Sequence, residues 1–152
     1  LRLARLPIID QNRDVQPTPR EQFPALASLE DGPFSALLGL KVETAEQGAV
    51  TVRMPFHARL LNYGPPDVPI HGGAIATLAD FAACVAIWTL PQTRQSATIS
   101  MSVNYTAPAI QSDLVARAIV KRAGKRVASL TVEIRSSTDQ LIADALITYK
   151  IS

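Results

Sequence analysis

Apolar positions follow three patterns in this chain: scattered, alternating and uniform. Through residue 32 they are scattered. Pro7, Pro17, Pro19 and Pro24 interrupt every run there, and QNRDVQPTPRE is polar. This predicts an N-terminal arm over 1–32, with one short helix around Glu21–Leu29 that starts near Thr18 or Pro19. From residue 33 the pattern turns regular. PFSALLGL reads as a short helix, and Lys41–Ala45 and Ala49–Phe56 read as strands joined at Gln47-Gly48. In the second strand Val50, Val52, Met54 and Phe56 alternate with Thr51 and Arg53, the period of a half-buried sheet. Residues 57–70, HARLLNYGPPDVPI, carry three prolines and a glycine and predict a loop.

The uniform stretch is IHGGAIATLADFAACVAIWTL, Ile70–Leu90. It is too long for a strand, apolar nearly all round and followed by Pro91. It therefore predicts a helix enclosed by protein, with His71-Gly72-Gly73 as its first turn. Alternation then resumes. Ala97, Ile99, Met101, Val103 and Tyr105 share one face, and Thr98, Ser100, Ser102 and Asn104 share the other. Leu114–Lys121, a turn at Ala123-Gly124-Lys125, Val127–Arg135, the polar turn SSTDQ and Leu141–Ile151 complete four strands.

Two strands, one enclosed helix and four further strands make an α+β chain. A long antiparallel sheet must cover its apolar face, and one substantial helix is available to cover it. The economical architecture for 33–152 is a curved antiparallel sheet wrapped around one long central helix. Such a sheet has open edges, and open edges invite pairing. A homodimer with joined sheets, paired again into a tetramer, is the expected assembly.

Composition narrows the classes. The 152 residues suit one domain and are 47% hydrophobic, 18% charged, with a net charge of +2. Lysine and arginine are scattered, which argues against a nucleic-acid footprint. The lone Cys84 lies among Ala83, Val85 and Ala86 and reads as a buried, inert thiol, with no disulfide framework. LRLARLPIID lacks a continuous apolar core and makes a poor signal peptide, and a central aspartate disfavours a membrane span over Ala74–Leu90. A cytoplasmic protein is expected. His57 and His71 are the two histidines, without a ligand cluster, so no metal site is expected.

Asp80 breaks the pattern. No other side chain between His71 and Arg94 is charged at neutral pH. Burying an unpaired carboxylate costs on the order of several kcal/mol, so Asp80 is either held by partners or present to react. A partner could be the Thr77 hydroxyl or a backbone amide. As a reactive group, a poorly solvated carboxylate can take a proton from water or act as a nucleophile itself. Gly72 and Gly73 would be a simple tight turn, or would offer helix N-terminal N–H groups to a developing oxyanion with no side chain in the way. His71 could tie down the loop by hydrogen bonding. His71 and Asp80 are nine residues apart, which puts them on opposite sides of a helix.

The layout, with HGGAIATLAD opening the helix, resembles the hotdog-fold acyl-CoA thioesterases of the phenylacetate-pathway (PaaI-like) type, over about residues 33–151. ATISMSVNYTAPA is similar to that family's strand after the helix, and GKRVASLTVEIRSSTDQLIADALITYKI to its closing hairpin. The resemblance implies the hotdog fold and hydrolysis of an acyl-CoA to free acid and coenzyme A. It implies Asp80 as base or nucleophile, Gly72 and Gly73 as carbonyl-binding N–H groups beside His71, Thr98 as a water-placing hydroxyl, and Asn62 ahead of the turn. YGPPDVPI makes the connection from Asn62 to His71 longer than is usual there. No cofactor is implied, since coenzyme A belongs to the substrate. Its phosphates could be met by Arg53 and by the group Lys121, Arg122, Lys125 and Arg126, which otherwise reads as a solvated hairpin end. Tyr63, Phe56, Phe81 and Trp88 are candidate walls for a short- or medium-chain or aryl acyl group. The alternatives are an acyl-thioester dehydratase or hydratase on the same fold, needing a histidine and a carboxylate on one substrate, and a non-catalytic acyl-CoA-binding protein.

Overall fold

The computed structural model describes residues 16–65 and 67–152. The arm expected over 1–32 lies outside the described residues as far as Asp14 and Val15, and its remainder is structured. Thr18 caps α1 (Pro19–Gln22) in a reciprocal box with Glu21, and Pro19 occupies the first turn, where proline is tolerated. Pro24 then divides the single helix expected here, and α2 runs Ala25–Glu30. Leu26 is fully buried in the main core, and α2 packs on both the central helix and the first strand. Glu30, 5% exposed, pairs with Arg20 and accepts the Val42 N–H at 2.6 Å. A buried carboxylate with two such partners pins this segment to the sheet. The folded unit therefore includes residues 19–32 rather than beginning at 33.

Next come α3 (Pro33–Leu38), β1 (Lys41–Glu46) and β2 (Ala49–Met54). After them stand α4 (Gly72–Trp88), β3 (Ser96–Tyr105), β4 (Leu114–Ala123), β5 (Val127–Ser136) and β6 (Leu141–Ile151). The six strands form one antiparallel sheet in the order β1-β2-β4-β5-β6-β3. It curves around α4 in the hotdog arrangement. The uniform apolarity of α4 has a direct cause, since α2 and the strands β2 to β6 contact it. Ala82, Ala83 and Ala86 on the helix and Ala116, Ala118 and Ala145 on the sheet are all buried in one core, small residues that let the two layers approach closely. Thr89 locks the helix end: its hydroxyl donates to the Ala86 carbonyl and accepts the Gly48 N–H, both at 2.7 Å.

β3 differs from the alternation read in the sequence. Thr98 pairs with Tyr149, but Ser100 pairs with Thr148, so a bulge intervenes at Ile99. One extra residue flips the faces. Thr98 therefore points toward α4, as do Met101, Val103 and Tyr105 beyond the bulge, while Ser100, Ser102 and Asn104 face outward. β3 is also an edge of the sheet, with Ile99 57% and Met101 37% exposed.

Candidate active site

Two groups of the expected residues lie at two positions along α4. The first is at its start. The His71 ring caps the helix, its Nδ1 accepting the Gly73 N–H at 2.8 Å. A Cβ on residue 73 would stand 2.9 Å from that nitrogen, so the glycine is required by the cap. The Gly73 N–H is thus already engaged. The Gly72 N–H has no acceptor among the described residues. Tyr105 packs its ring over Gly72 and donates its hydroxyl to the Gly72 carbonyl at 2.9 Å. Asn62 belongs here too. The Leu61–Ile70 bridge and the His71 N–H to Leu60 carbonyl bond of 2.7 Å close the long loop at its base. The insertion thus bulges outward while Asn62 stays near the helix start. A cleft of 340 Å³ opens at this end, lined by Gly72, Ile75, Tyr105 and Pro108 among others.

The second group lies eight residues on, about 12 Å along the axis at 1.5 Å per residue. Asp80 lines a 260 Å³ cleft with Phe34, Leu40, Phe81, Cys84 and Thr98. The two clefts share no lining residue. Asp80 is not held by Thr77, whose hydroxyl donates to the Gly73 carbonyl at 2.9 Å. Its Oδ1 accepts two hydroxyls, from Thr98 at 2.7 Å and from Tyr149 at 2.9 Å. No described residue donates to Oδ2. The bulge makes the Thr98 contact possible, and the β6 alternation of Ile147, Tyr149 and Ile151 makes the second. Burial pushes the Cys84 thiol up to about 11, with the Asp80 charge acting the same way. Burial likewise raises the Tyr149 phenol well above its ordinary value. Both groups stay protonated at neutral pH, and Asp80 keeps one oxygen that no described side chain occupies.

The cationic candidates do not form one site. Arg53 pairs with Glu43 and, at 3.5 Å, with Asp113, on the outer face of β2. Lys121, Arg122, Lys125 and Arg126 are exposed around the β4–β5 turn, without a carboxylate partner among the described residues. That turn lies at the opposite end of the sheet from Arg53, because Ile119 pairs with Ala49 and Val115 with Arg53. It lies at the Asp80 end: Ile151 donates to the Arg126 carbonyl at 3.0 Å and pairs with Ser96, which lines the Asp80 cleft.

Of the expected acyl walls, Phe81 lines that cleft. Phe56 packs on the core, Trp88 turns its indole N–H to Ser96 at 3.0 Å, and Tyr63 is exposed in the loop. Phe34, Leu40 and Tyr149 were not anticipated. Tyr149 could have been, since a tyrosine on the core face of a strand must find an acceptor, and Asp80 was the unexplained one.

A family model described as Thioesterase superfamily matches residues 70–143. The chain is similar to the "Putative esterase" of Halobacterium salinarum, 34% identical over 119 residues that cover 76% of this chain and 78% of that one. It is similar to the medium/long-chain acyl-CoA thioesterase YigI of Salmonella typhimurium, 26% identical over 133 residues, covering 78% of this chain and 85% of the other. A mutant of the phenylacetic acid degradation protein PaaI from Thermus thermophilus superposes with a TM-score of 0.70 at 28% identity, covering 79% of this chain and 99% of that one.

Proposed function

The chain belongs to the thioesterase superfamily, and we propose that it is an acyl-CoA thioesterase, converting water and a short- or medium-chain or aryl acyl-CoA into free acid and coenzyme A. The observation that carries this reading is Asp80, a carboxylate lining an apolar cleft, held through one oxygen and free at the other. Asp80 supplies the basic oxygen, drawing a proton from water as that water adds to the thioester carbon, or adding to the carbon itself. The negative charge that develops on the carbonyl oxygen meets the Gly72 N–H at a helix start. Thr98 steadies Asp80 and can accept a hydrogen bond from the water through its oxygen.

Gly72 and Asp80 of one chain are too far apart for one small thioester, and they open into separate clefts. Two chains joined through their β3 edges, with α4 helices antiparallel across a two-fold axis, bring the Gly72 turn and Asn62 of one to Asp80 of the other. The homodimer is therefore part of the mechanism, and a second pairing gives a dimer of dimers. The β4–β5 turn, with Lys121, Arg122, Lys125 and Arg126, meets the phosphates of coenzyme A. Arg53 has its own carboxylates and drops out of that role. The reaction uses no cofactor. Among the described residues no helix is long and apolar enough to cross a membrane. A dehydratase would need His71 free to act beside a carboxylate, whereas here the ring caps its own helix.

The test is Asp80→Asn, which keeps an oxygen for Thr98 and Tyr149 to bind. Thiol release from a panel of acyl-CoAs should fall at least ~100-fold, at the low end of general-base effects, with melting temperature within a few degrees. Near-normal hydrolysis by this variant contradicts the reading.

A further inference from the structure

We propose that Tyr149 is a positioning residue for Asp80: its hydroxyl, together with that of Thr98, fixes Oδ1 so that Oδ2 is the oxygen presented to the reacting thioester. The proposal rests on the thioesterase reading above for its kinetic consequence, but its geometry stands apart from it.

Tyr149 is 2% exposed and lies on β6 between Ile147 and Ile151, which also face the core. A phenol in that position must donate. It donates to Asp80, at 2.9 Å from Oδ1 and 3.1 Å from the backbone carbonyl of the same residue. One hydroxyl proton between these two acceptors ties the side chain of Asp80 to its own backbone, which restricts rotation of the carboxylate. Thr98 reaches the same Oδ1 from the opposite strand at 2.7 Å. With both donors on Oδ1, the two carboxylate oxygens are no longer equivalent. The lone pairs of Oδ2 are the ones left for a proton or a carbonyl carbon.

A merely space-filling tyrosine would leave the orientation of the Asp80 carboxylate unchanged when its hydroxyl is removed. A positioning tyrosine would not.

Tyr149→Phe removes the hydroxyl alone. We expect kcat to fall about tenfold with KM changed less than about twofold, since a misdirected base loses rate rather than binding. Thr98→Val should act in the same direction, and Thr98→Ser should restore kcat. A substrate-free measurement follows the same group: the Asp80 carboxyl-carbon resonance, observed by 13C NMR in labelled protein at one fixed neutral pH, should change its chemical shift in Tyr149→Phe as Oδ1 loses a donor. A lower melting temperature with unchanged kcat and an unchanged carboxyl resonance would overturn the proposal. If Asp80→Asn hydrolyses normally while the carboxyl resonance of Tyr149→Phe still moves, the contact stands and the thioesterase reading fails. If Asp80→Asn is inactive while Tyr149→Phe is silent in both readings, the reverse holds.

Discussion

At its first turn α4 offers backbone, and about two turns further on it offers a carboxylate. The two positions are held by opposite means. At the start, a side chain serves the main chain: the His71 ring satisfies the Gly73 N–H, and the Tyr105 hydroxyl satisfies the Gly72 carbonyl. Further along, side chains serve a side chain, with Thr98 and Tyr149 converging on Asp80. The first arrangement is local in sequence apart from Tyr105; the second needs three elements to meet. Among the described residues each leaves one polar group open, the Gly72 N–H in one cleft and Asp80 Oδ2 in the other. The proposed hydrolysis needs both kinds of group on one substrate, and their separation is the reason for proposing a site shared by two chains.

The comparison can be broken most sharply at Gly72. Gly72→Pro deletes the open N–H at the helix position where proline is best tolerated, and should cost about 100-fold in kcat, as for other oxyanion donors. Gly72→Ala keeps the N–H. Its Cβ would lie 3.4 Å from the Tyr105 ring, so a loss of only a few-fold is expected. Equal losses in the two variants would deny the N–H its role. Next in size is the edge strand. Ile99→Lys on exposed β3 should halve the mass seen by light scattering and lower activity at least about tenfold, because each monomer keeps only half-sites. An active monomer would separate the clefts from the chemistry.

Smaller effects sharpen the contrast. His71→Ala removes the cap and should cost about 1 kcal/mol, read as a melting temperature lower by a few degrees. Gly73→Ala displaces the same ring and should match it. If Gly73→Ala instead abolished turnover with no change in stability, the Gly73 N–H would be a second oxyanion donor. The smallest effect concerns Cys84. Its thiol is pushed up to about 11, so its thiolate is scarce at neutral pH and accumulates only as pH rises toward that value. Iodoacetamide at pH 8 should leave both Cys84 and activity intact over a time that alkylates a free thiol completely.

Much of this was legible in the sequence because it is periodic. The length and uniform apolarity of Ile70–Leu90 announce an enclosed helix, and alternation announces the strands. Asp80 stands out because nothing local accounts for it. What stayed hidden depends on register and distance. The bulge at Ile99 adds one residue without any glycine or proline to mark it, so strict alternation groups Thr98 with Ser100 although it turns inward. The burial of Glu30 has no signal in the sequence, because its partners Arg20 and Val42 meet it only in the fold. Phe34 and Leu40 are invisible as cleft walls for the same reason, since no local pattern in the sequence brings residues 34 and 40 to Asp80.

The most direct test of a site shared between chains mixes two crippled proteins. Asp80→Ala lacks the carboxylate and keeps the Gly72 turn; Gly72→Pro lacks the N–H and keeps Asp80. After equal amounts exchange subunits freely, half the dimers are mixed, and each mixed dimer contains one intact site and one doubly defective site. Thioesterase activity should then recover to about a quarter of wild type by this symmetry count. No recovery, with mixed dimers demonstrated by mass spectrometry, would mean that each site is built within a single chain.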